Sequence, residues 1–382
     1  MTRTTGTYAL STTSGESVRA FVPHPLPPVD PALLPDTFAD LNREAELALA
    51  RLGGVSGLVP SVDWLLYSAI RKEALLTSQI EGTQATLTDL FDDEAGFKVS
   101  NTDDVEEVTN YLCAFRWVQA QLRDPKGLPI SVRLLCEAHG RLLDGARGAG
   151  NQPGALRQSQ NWIGGTRPGN AMFVPPPPEQ VPALLADMER FIHDPATPLP
   201  PMVRVALIHA QFETIHPFLD GNGRIGRLLI AALFEHWGLL SEPLMYLSGY
   251  LKQYQAEYYR RLSAIRSEGD WEGWVRFFLE GVVTAAADAE KNIIEVASLV
   301  ATDRRRLLQS AKAGPTSYRL FEMLPMMPRF TIERARQQLD TSFPTATAAV
   351  KALEDLGIVV EMTGQKKNRS YSYQAYVEAL SR

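Results

Sequence analysis

Residues 216–227 read HPFLDGNGRIGR, a run that gathers His216, Asp220, Asn222, Arg224, Arg227 and three glycines. The glycines Gly221, Gly223 and Gly226 formally satisfy G-x-G-x-x-G, but a dinucleotide loop follows a strand. Here Val205, Ile208, Phe212 and Ile215 recur at three and four residues and place a helix before the loop. A P-loop is excluded as well, because Arg227 and Leu228 stand where Lys and Ser/Thr are required. A third chemistry uses every polar residue. The apolar run from Ile225 to Leu233 starts a helix directly after the glycines, so the N–H groups of Gly221, Asn222, Gly223 and Arg224 point at one spot, with the helix dipole behind them. That is an anion site. Glycine at 221 and 223 admits phosphate close to the backbone, Asn222 adds a side-chain donor, and Gly226 is grouped with them. Arg224 and Arg227, three apart, reach along one helical face to a polyphosphate. Asp220, just ahead of the cradle, suits a Mg²⁺ shared with phosphate oxygens. His216, one loop away, is the residue type that accepts a proton near neutrality. Together these residues form a site that holds a nucleoside triphosphate and uses His216 as a base, whereas His209, on the preceding helix, is read as structural.

The surrounding chain must position this loop. Its 382 residues are 45% hydrophobic and 21% charged, the balance of a folded protein of two or three domains, and the formal charge of −6 offers no overall attraction to nucleic acid or anionic membrane. The N-terminus lacks the apolar core of a signal peptide and no stretch approaches 18 uninterrupted apolar residues, so a cytoplasmic location and no membrane span are expected. Cys113 and Cys136 fall in amphipathic helical runs and are expected to be buried free thiols. The periodicity predicts a mainly α chain. Residues 1–35, rich in Ser, Thr and Pro, read as an extended arm. Helices are expected over 37–52 with Asp36 as cap, from Ser61 through Leu75, over 103–122 and 131–143, and again over 179–193, 202–215, 224–237, 253–266 and from Trp271 onward. Between them, residues 161–163 and 171–174, joined by GGTRPGN, read as a β-hairpin. The tail reads as three helices followed by strands over 358–362 and 370–373, the order of a winged helix-turn-helix.

The run HPFLDGNGRIGR resembles the HPFxDGNGRxxR signature of Fic-domain proteins at every fixed position, and the resemblance extends over roughly residues 30–285. It implies a Fic helical core with a β-hairpin flap, and transfer of AMP from ATP to a Ser, Thr or Tyr hydroxyl of a target protein or of the chain itself, with release of pyrophosphate. His216 would then be the base, Asp220 the Mg²⁺ ligand, and Gly221, Asn222 and Gly223 the α-phosphate contacts. Arg224 and Arg227 would hold the β- and γ-phosphates, and Phe218 would anchor the loop. Thr166, Ala171, Met172, Phe173 and Val174 would form the flap that clamps an extended target segment. Tyr258 and Tyr259 resemble adenine-side tyrosines, with Tyr259 carried forward as a nucleotide contact. Self-association as a homodimer is also implied. The domain reading is an arm (1–35), an N-terminal helical region (36–125), the catalytic core (126–285), a connecting helix (286–313) and the winged tail (314–382).

Residues 77–82, TSQIEG, match the family's [S/T]xxxE[G/N] inhibitory motif through Thr77, Glu81 and Gly82. A carboxylate brought to Arg227 forms a charge-assisted pair and competes with γ-phosphate for the same guanidinium, which makes Glu81 a brake. Two other readings stand beside transfer. One is an enzyme that removes AMP from modified protein. The other is a nucleotide-sensing regulator that binds DNA through the tail, with residues 345–356 as recognition helix and Lys366, Lys367 and Arg369 on the wing.

Overall fold

The computed structural model describes residues 3–58, 61–145, 149–365, 367 and 369–381. It opens with strands β1 (Gly6–Thr13) and β2 (Glu16–Pro23), then helices α1 (Ala39–Val55), α2 (Val62–Ile80), α3 (Leu87–Glu94), α4 (Thr102–Arg123) and α5 (Val132–Leu142). After a long irregular segment come α6 (Val181–His193), α7 (Pro201–Ile215), α8 (Asn222–His236), α9 (Leu247–Gln253), α10 (Gln255–Glu268) and α11 (Trp271–Leu308). The tail holds α12 (Pro315–Met323), β3 (Arg329–Thr331), α13 (Ile332–Leu339), α14 (Phe343–Asp355), β4 (Val360–Glu361), β5 (Ser370–Ser372) and α15 (Gln374–Ser381). The architecture is mainly helical, as the periodicity predicts. No helix among the described residues is long and apolar enough to cross a membrane.

The core is built around α7. Its apolar positions extend beyond one stripe, so every residue from Val205 to Ile215 is buried, enclosed by α6, α8, α10, α11 and β2. Caps fix several helix starts: Ser61 Oγ accepts from Asp63 N–H at 3.2 Å ahead of α2, and Ser131 Oγ accepts from Leu134 N–H at 3.2 Å ahead of α5. Asp36 does not cap α1. It lies inside a short 3₁₀ turn, Pro35–Phe38, that enters the helix, because the proline sets the first turn one residue earlier.

The expected arm is instead an antiparallel hairpin. β1 pairs with β2 from Gly6↔Pro23 to Thr13↔Glu16 around a turn at Ser14 and Gly15, both at positive φ. That turn is of the kind that joins tightly twisted strands, and the prolines that suggest an irregular arm begin only at Pro23. Cys113 is exposed and Cys136 half-buried, both unpaired. Cys113 follows Leu112 of the buried stripe and is rotated about 100° away from it on α4. The tail contains the expected helices and strands in a three-stranded sheet of order β3-β5-β4, with β3 and α15 added. Lys366 lies outside the described residues. α11 runs unbroken through positions 285 and 286, where the sequence reading divides core from connecting helix.

Candidate functional site

The loop between α7 and α8 is shaped by two left-handed residues. His216 ends α7 at φ 50° and ψ 61°, with its N–H donating to Phe212 O at 2.9 Å, and Gly221 opens α8 at φ 74°. A non-glycine residue in that region is strained and must be held by its surroundings. Arg157 does the holding. Its buried guanidinium donates to His216 O at 2.8 Å, Pro176 O at 2.6 Å and Ile215 O at 3.4 Å, and its N–H donates to Pro217 O. Below the loop, Phe218 is buried and stacks on His139, with ring centroids 3.8 Å apart. His139 Nδ1 accepts from Gly154 N–H at 2.9 Å, which leaves Nε2 to donate to Asp220 O at 3.1 Å. Sequence reasoning missed Arg157 and His139, since nothing near either of them carries a motif. Arg157→Ala removes the donor from four carbonyls, those of His216, Pro176, Ile215 and Ser159, and is expected to cost about 3 kcal/mol, read as earlier thermal unfolding, with a partial recovery in Arg157→Lys.

His216 is half-buried with Nδ1 unpartnered. Burial, and after it the charge of Arg157, lowers its pKa to about 4, so it stands neutral and able to take a proton at neutral pH. Burial likewise lowers His139 to about 4 and His209 to about 3. His209 is structural as expected: Nδ1 meets Gly226 O at 3.1 Å and Nε2 meets Tyr258 Oη at 2.9 Å. Glu213, one turn before His216, is pushed up to about 7 by burial. These shifts set an acid response. The three histidines bind protons in the unfolded chain below about 6.5 but not in the folded chain until about 4, so each removes stability as pH falls through that window. Glu213 acts oppositely, gaining its proton earlier in the folded chain. Glu73 and Asp92, also raised by burial, act with Glu213, and His236, lowered by burial, acts with the three histidines. With four groups against three, the urea midpoint is expected to fall from pH 7 to pH 5, and a rising midpoint would refute it.

Fewer of the N–H groups expected to cradle a phosphate are free in the structure. Gly221 N–H is taken by Asp220 Oδ1 at 2.6 Å, which leaves the first-turn N–H groups of Asn222, Gly223 and Arg224 facing outward. The side chain of Asn222 is not a phosphate donor here. It staples the loop to itself, accepting from Phe218 N–H at 2.8 Å and donating to Phe218 O at 2.9 Å. Gly226 is a packing position: a Cβ there would lie 2.3 Å from Glu213 Oε1 and 3.1 Å from the Phe212 ring. Arg224 is held by Glu107 at 3.3 Å and by Asp220 at 3.8 Å. Asp220 is 52% exposed and accepts from Asn151 at 3.0 Å. No cluster of three or more acidic, His or Cys ligands exists among the described residues. A lone hard carboxylate at a phosphate cradle fits Mg²⁺ held jointly with substrate oxygens, not a cage built by protein alone.

Glu81 completes the site from α2. Its Oε1 lies 2.5 Å from Arg227 Nη2, and Arg227 also donates to Thr77 Oγ1 at 2.5 Å and Thr77 O at 3.1 Å. A Cβ at residue 223 would lie 2.3 Å from that carboxylate oxygen, so Gly223 is the hole through which Glu81 reaches the first turn of α8. Gly82, at φ +105°, lets the chain turn away. Burial by itself would raise Glu81, but the charge and hydrogen bond of Arg227 overcome it and hold the carboxylate below its ordinary range. Burial opposes the charge on Arg227 too, and Glu81 restores it.

The flap is reduced to one antiparallel bridge, Ile163↔Phe173, over a 3₁₀ turn at Pro168–Asn170. Thr166 precedes that turn and its N–H donates to Asn170 Oδ1 at 3.0 Å, Met172 is 87% exposed, and Val174 O accepts from Phe21 N–H of β2 at 2.9 Å. Ala171 leaves that turn in extended conformation, at φ −62° and ψ 143°. Tyr258 is buried against His209 and is no base contact, while Tyr259 is 47% exposed on the same helix.

Residues 39–119 match the Fic/DOC family N-terminal model, and residues 129–234 match the Fic/DOC family model. The chain carries a Fic domain. The Fic match takes in α5 to α8 and so the whole catalytic-type loop, and the N-terminal match takes in Glu81. Among relatives, the chain is 31% identical over 172 residues to protein adenylyltransferase fic-1 of Caenorhabditis briggsae, which is 45% of this chain and 31% of that one. It is 28% identical over 208 residues to protein adenylyltransferase Fic of Drosophila melanogaster, which is 53% of this chain and 38% of that one. The matches thus span about a third of the length of these relatives. A crystallised Fic family protein from Desulfovibrio desulfuricans shares the fold, with a TM-score of 0.58 at 21% identity over 90% of this chain and 97% of that one. Fic-1 from C. elegans does so with a TM-score of 0.52 at 22% identity over 69% and 75%.

Proposed function

We propose that this chain transfers AMP from ATP to a hydroxyl side chain of a target protein or of itself, and that Glu81 inhibits the transfer. One observation carries the reading. The first turn of α8, with Arg227 beside it and neutral His216 at the loop's far end, already holds an oxyanion, the Glu81 carboxylate, where a triphosphate would lie. The relatives named protein adenylyltransferase supply the nucleotide and the reaction class.

In this mechanism His216 takes the proton of the acceptor hydroxyl as its oxygen bonds to the α-phosphorus. The bond from that phosphorus to the bridging oxygen breaks, and pyrophosphate leaves with the electron pair. The N–H groups of Asn222, Gly223 and Arg224 receive the charge that develops on the phosphate, and the guanidinium groups of Arg224 and Arg227 hold the outer phosphates. Asp220 would hold Mg²⁺, which when bound neutralises phosphate charge. Tyr259 would meet the nucleoside, and Ala171 to Val174 would pair with the target backbone. Arg157 and His139 act only by holding His216 and Asp220 in place.

Mass spectrometry of protein incubated with ATP and the Glu81→Gly chain tests this. An added AMP on a hydroxyl residue supports it, and no added mass on any protein overturns it. The regulator reading has less support: of the wing cations it needs, Arg369 donates to Gln365 O at 2.8 Å, and two further tail cations face the body, where Arg329 pairs with Asp92 at 2.6 Å and Arg334 donates to Glu94 O.

A further inference from the structure

A row of three aromatic rings with a cation at each end runs from the N-terminal hairpin to the flap beside the Fic loop. The Arg19 guanidinium lies 4.4 Å from the Tyr8 ring centroid, and Tyr8 meets Phe21 edge-on at 5.4 Å. Phe21 meets Phe173 of the flap at 6.4 Å, and the Arg266 guanidinium lies 3.8 Å from the Phe173 centroid. The hairpin is fixed in this position by Phe21 N–H on Val174 O, by Ser11 Oγ on Gln160 at 2.9 Å and by Glu16 on Arg167 at 2.5 Å. It therefore extends the flap as one surface.

The two end cations differ from most arginines of this protein. Among the described residues no carboxylate lies within ion-pair distance of Arg19 or Arg266, whereas Arg3, Arg71, Arg224, Arg227 and many others are paired. Arg19 is exposed, and Tyr8 and Leu10 on the same hairpin are 54% and 80% exposed. Arg266 is half-buried beneath the flap, close enough to His216 to disfavour its protonation. Each guanidinium lies over a ring of its own, Arg19 over Tyr8 and Arg266 over Phe173, a contact that holds the cation without neutralising its charge. The net charge of −6 repels acidic chains from the molecule at large, so attraction of such a chain here is local.

We propose that the hairpin and flap together form the docking surface for the target, and that it selects an extended acidic segment whose carboxylates pair with Arg19 and Arg266 while its hydroxyl lies at His216. This rests on the transfer reading for its placement of the hydroxyl. The aromatic rungs take the apolar parts of the segment, and the charges set register and encounter rate.

The test uses the full chain and two short fluorescent peptides, each with one serine, flanked two positions to either side by aspartates in one and by lysines in the other. Anisotropy is expected to show the aspartate peptide binding about tenfold tighter, with Arg19→Glu removing the preference and Arg43→Glu, an equal charge change on remote α1, keeping it. Equal affinity for both peptides, or equal loss from the two substitutions, overturns the proposal. A second arm measures labelling of the aspartate peptide by chains carrying Glu81→Gly with and without Arg266→Gln. The expected result is a higher KM for peptide at unchanged KM for ATP, and the reverse would make Arg266 a nucleotide contact and overturn its part. Absence of all AMP transfer alongside selective peptide binding would sink the transfer reading and leave the docking surface standing.

Discussion

Replacing Glu81 by glycine is expected to raise AMP transfer by roughly 30- to 160-fold. The estimate follows from what the carboxylate does in the resting chain. It makes a charge-assisted hydrogen bond to a buried guanidinium at 2.5 Å, an interaction worth about 2–3 kcal/mol, and each 1.36 kcal/mol is tenfold. A triphosphate that must displace this pair binds with its outer phosphate misplaced, so the effect should fall on kcat as well as on KM. Thr77 keeps two of its contacts to Arg227 after the substitution, so the guanidinium stays in place and free for phosphate. Labelled-ATP incorporation by the wild-type and Glu81→Gly chains measures the ratio. Equal labelling would remove inhibition from the account while leaving the phosphate site intact.

His216→Ala in the Glu81→Gly background should lower transfer by on the order of 10³-fold, the usual worth of a positioned base. The ring is neutral across the whole neutral range, because burial and Arg157 hold it down to about 4. Activity that needs the neutral form is therefore lost only as pH falls through that value. The kcat/KM of the Glu81→Gly chain should stay flat from pH 8 to near 5.5 and decline below. A decline centred near 6.5 would mean that His216 titrates like a free imidazole and that its burial is absent in solution. Nucleotide binding should survive His216→Ala, since the cradle is made by the start of α8. An alanine chain that transfers as fast as its parent would deny His216 the role of base.

The parts of this site legible in the sequence are those whose partners lie within one helical turn or one loop. His216, Asp220, Arg224 and Arg227 fall in a single run, so spacing alone relates them. Glu81 was readable for a different reason: TSQIEG resembles the family's inhibitory motif, and the charges it pairs lie 146 positions apart. Asn222 and Gly226 show the limit. Both belong to the run, yet one braces the loop and the other admits Glu213, and which way each faces depends on φ at Gly221 and on how closely α7 approaches α8. Arg157 and His139 were invisible because they act on backbone carbonyls, which every sequence supplies equally. The N-terminal hairpin did carry a signal, in the Ser14-Gly15 turn between strand-forming residues, outweighed in the sequence reading by the prolines that follow it. Helix boundaries were legible at some side-chain caps, as at Ser61 and Ser131, missed at the Thr86 cap of α3, and shifted where proline sets the start.

Helix α11 has 38 residues, a rod about 57 Å long at 1.5 Å per residue. Its first turns pack on α7, where Trp274 Nε1 donates to Ala206 O, and its later ones on the tail, through Asn292 to Ala379 O and Asp303 to Tyr373. A flexible linker would let the tail search space around the cleft. A rod instead makes the molecule a ruler, fixing the tail at one distance and one angle from the cleft.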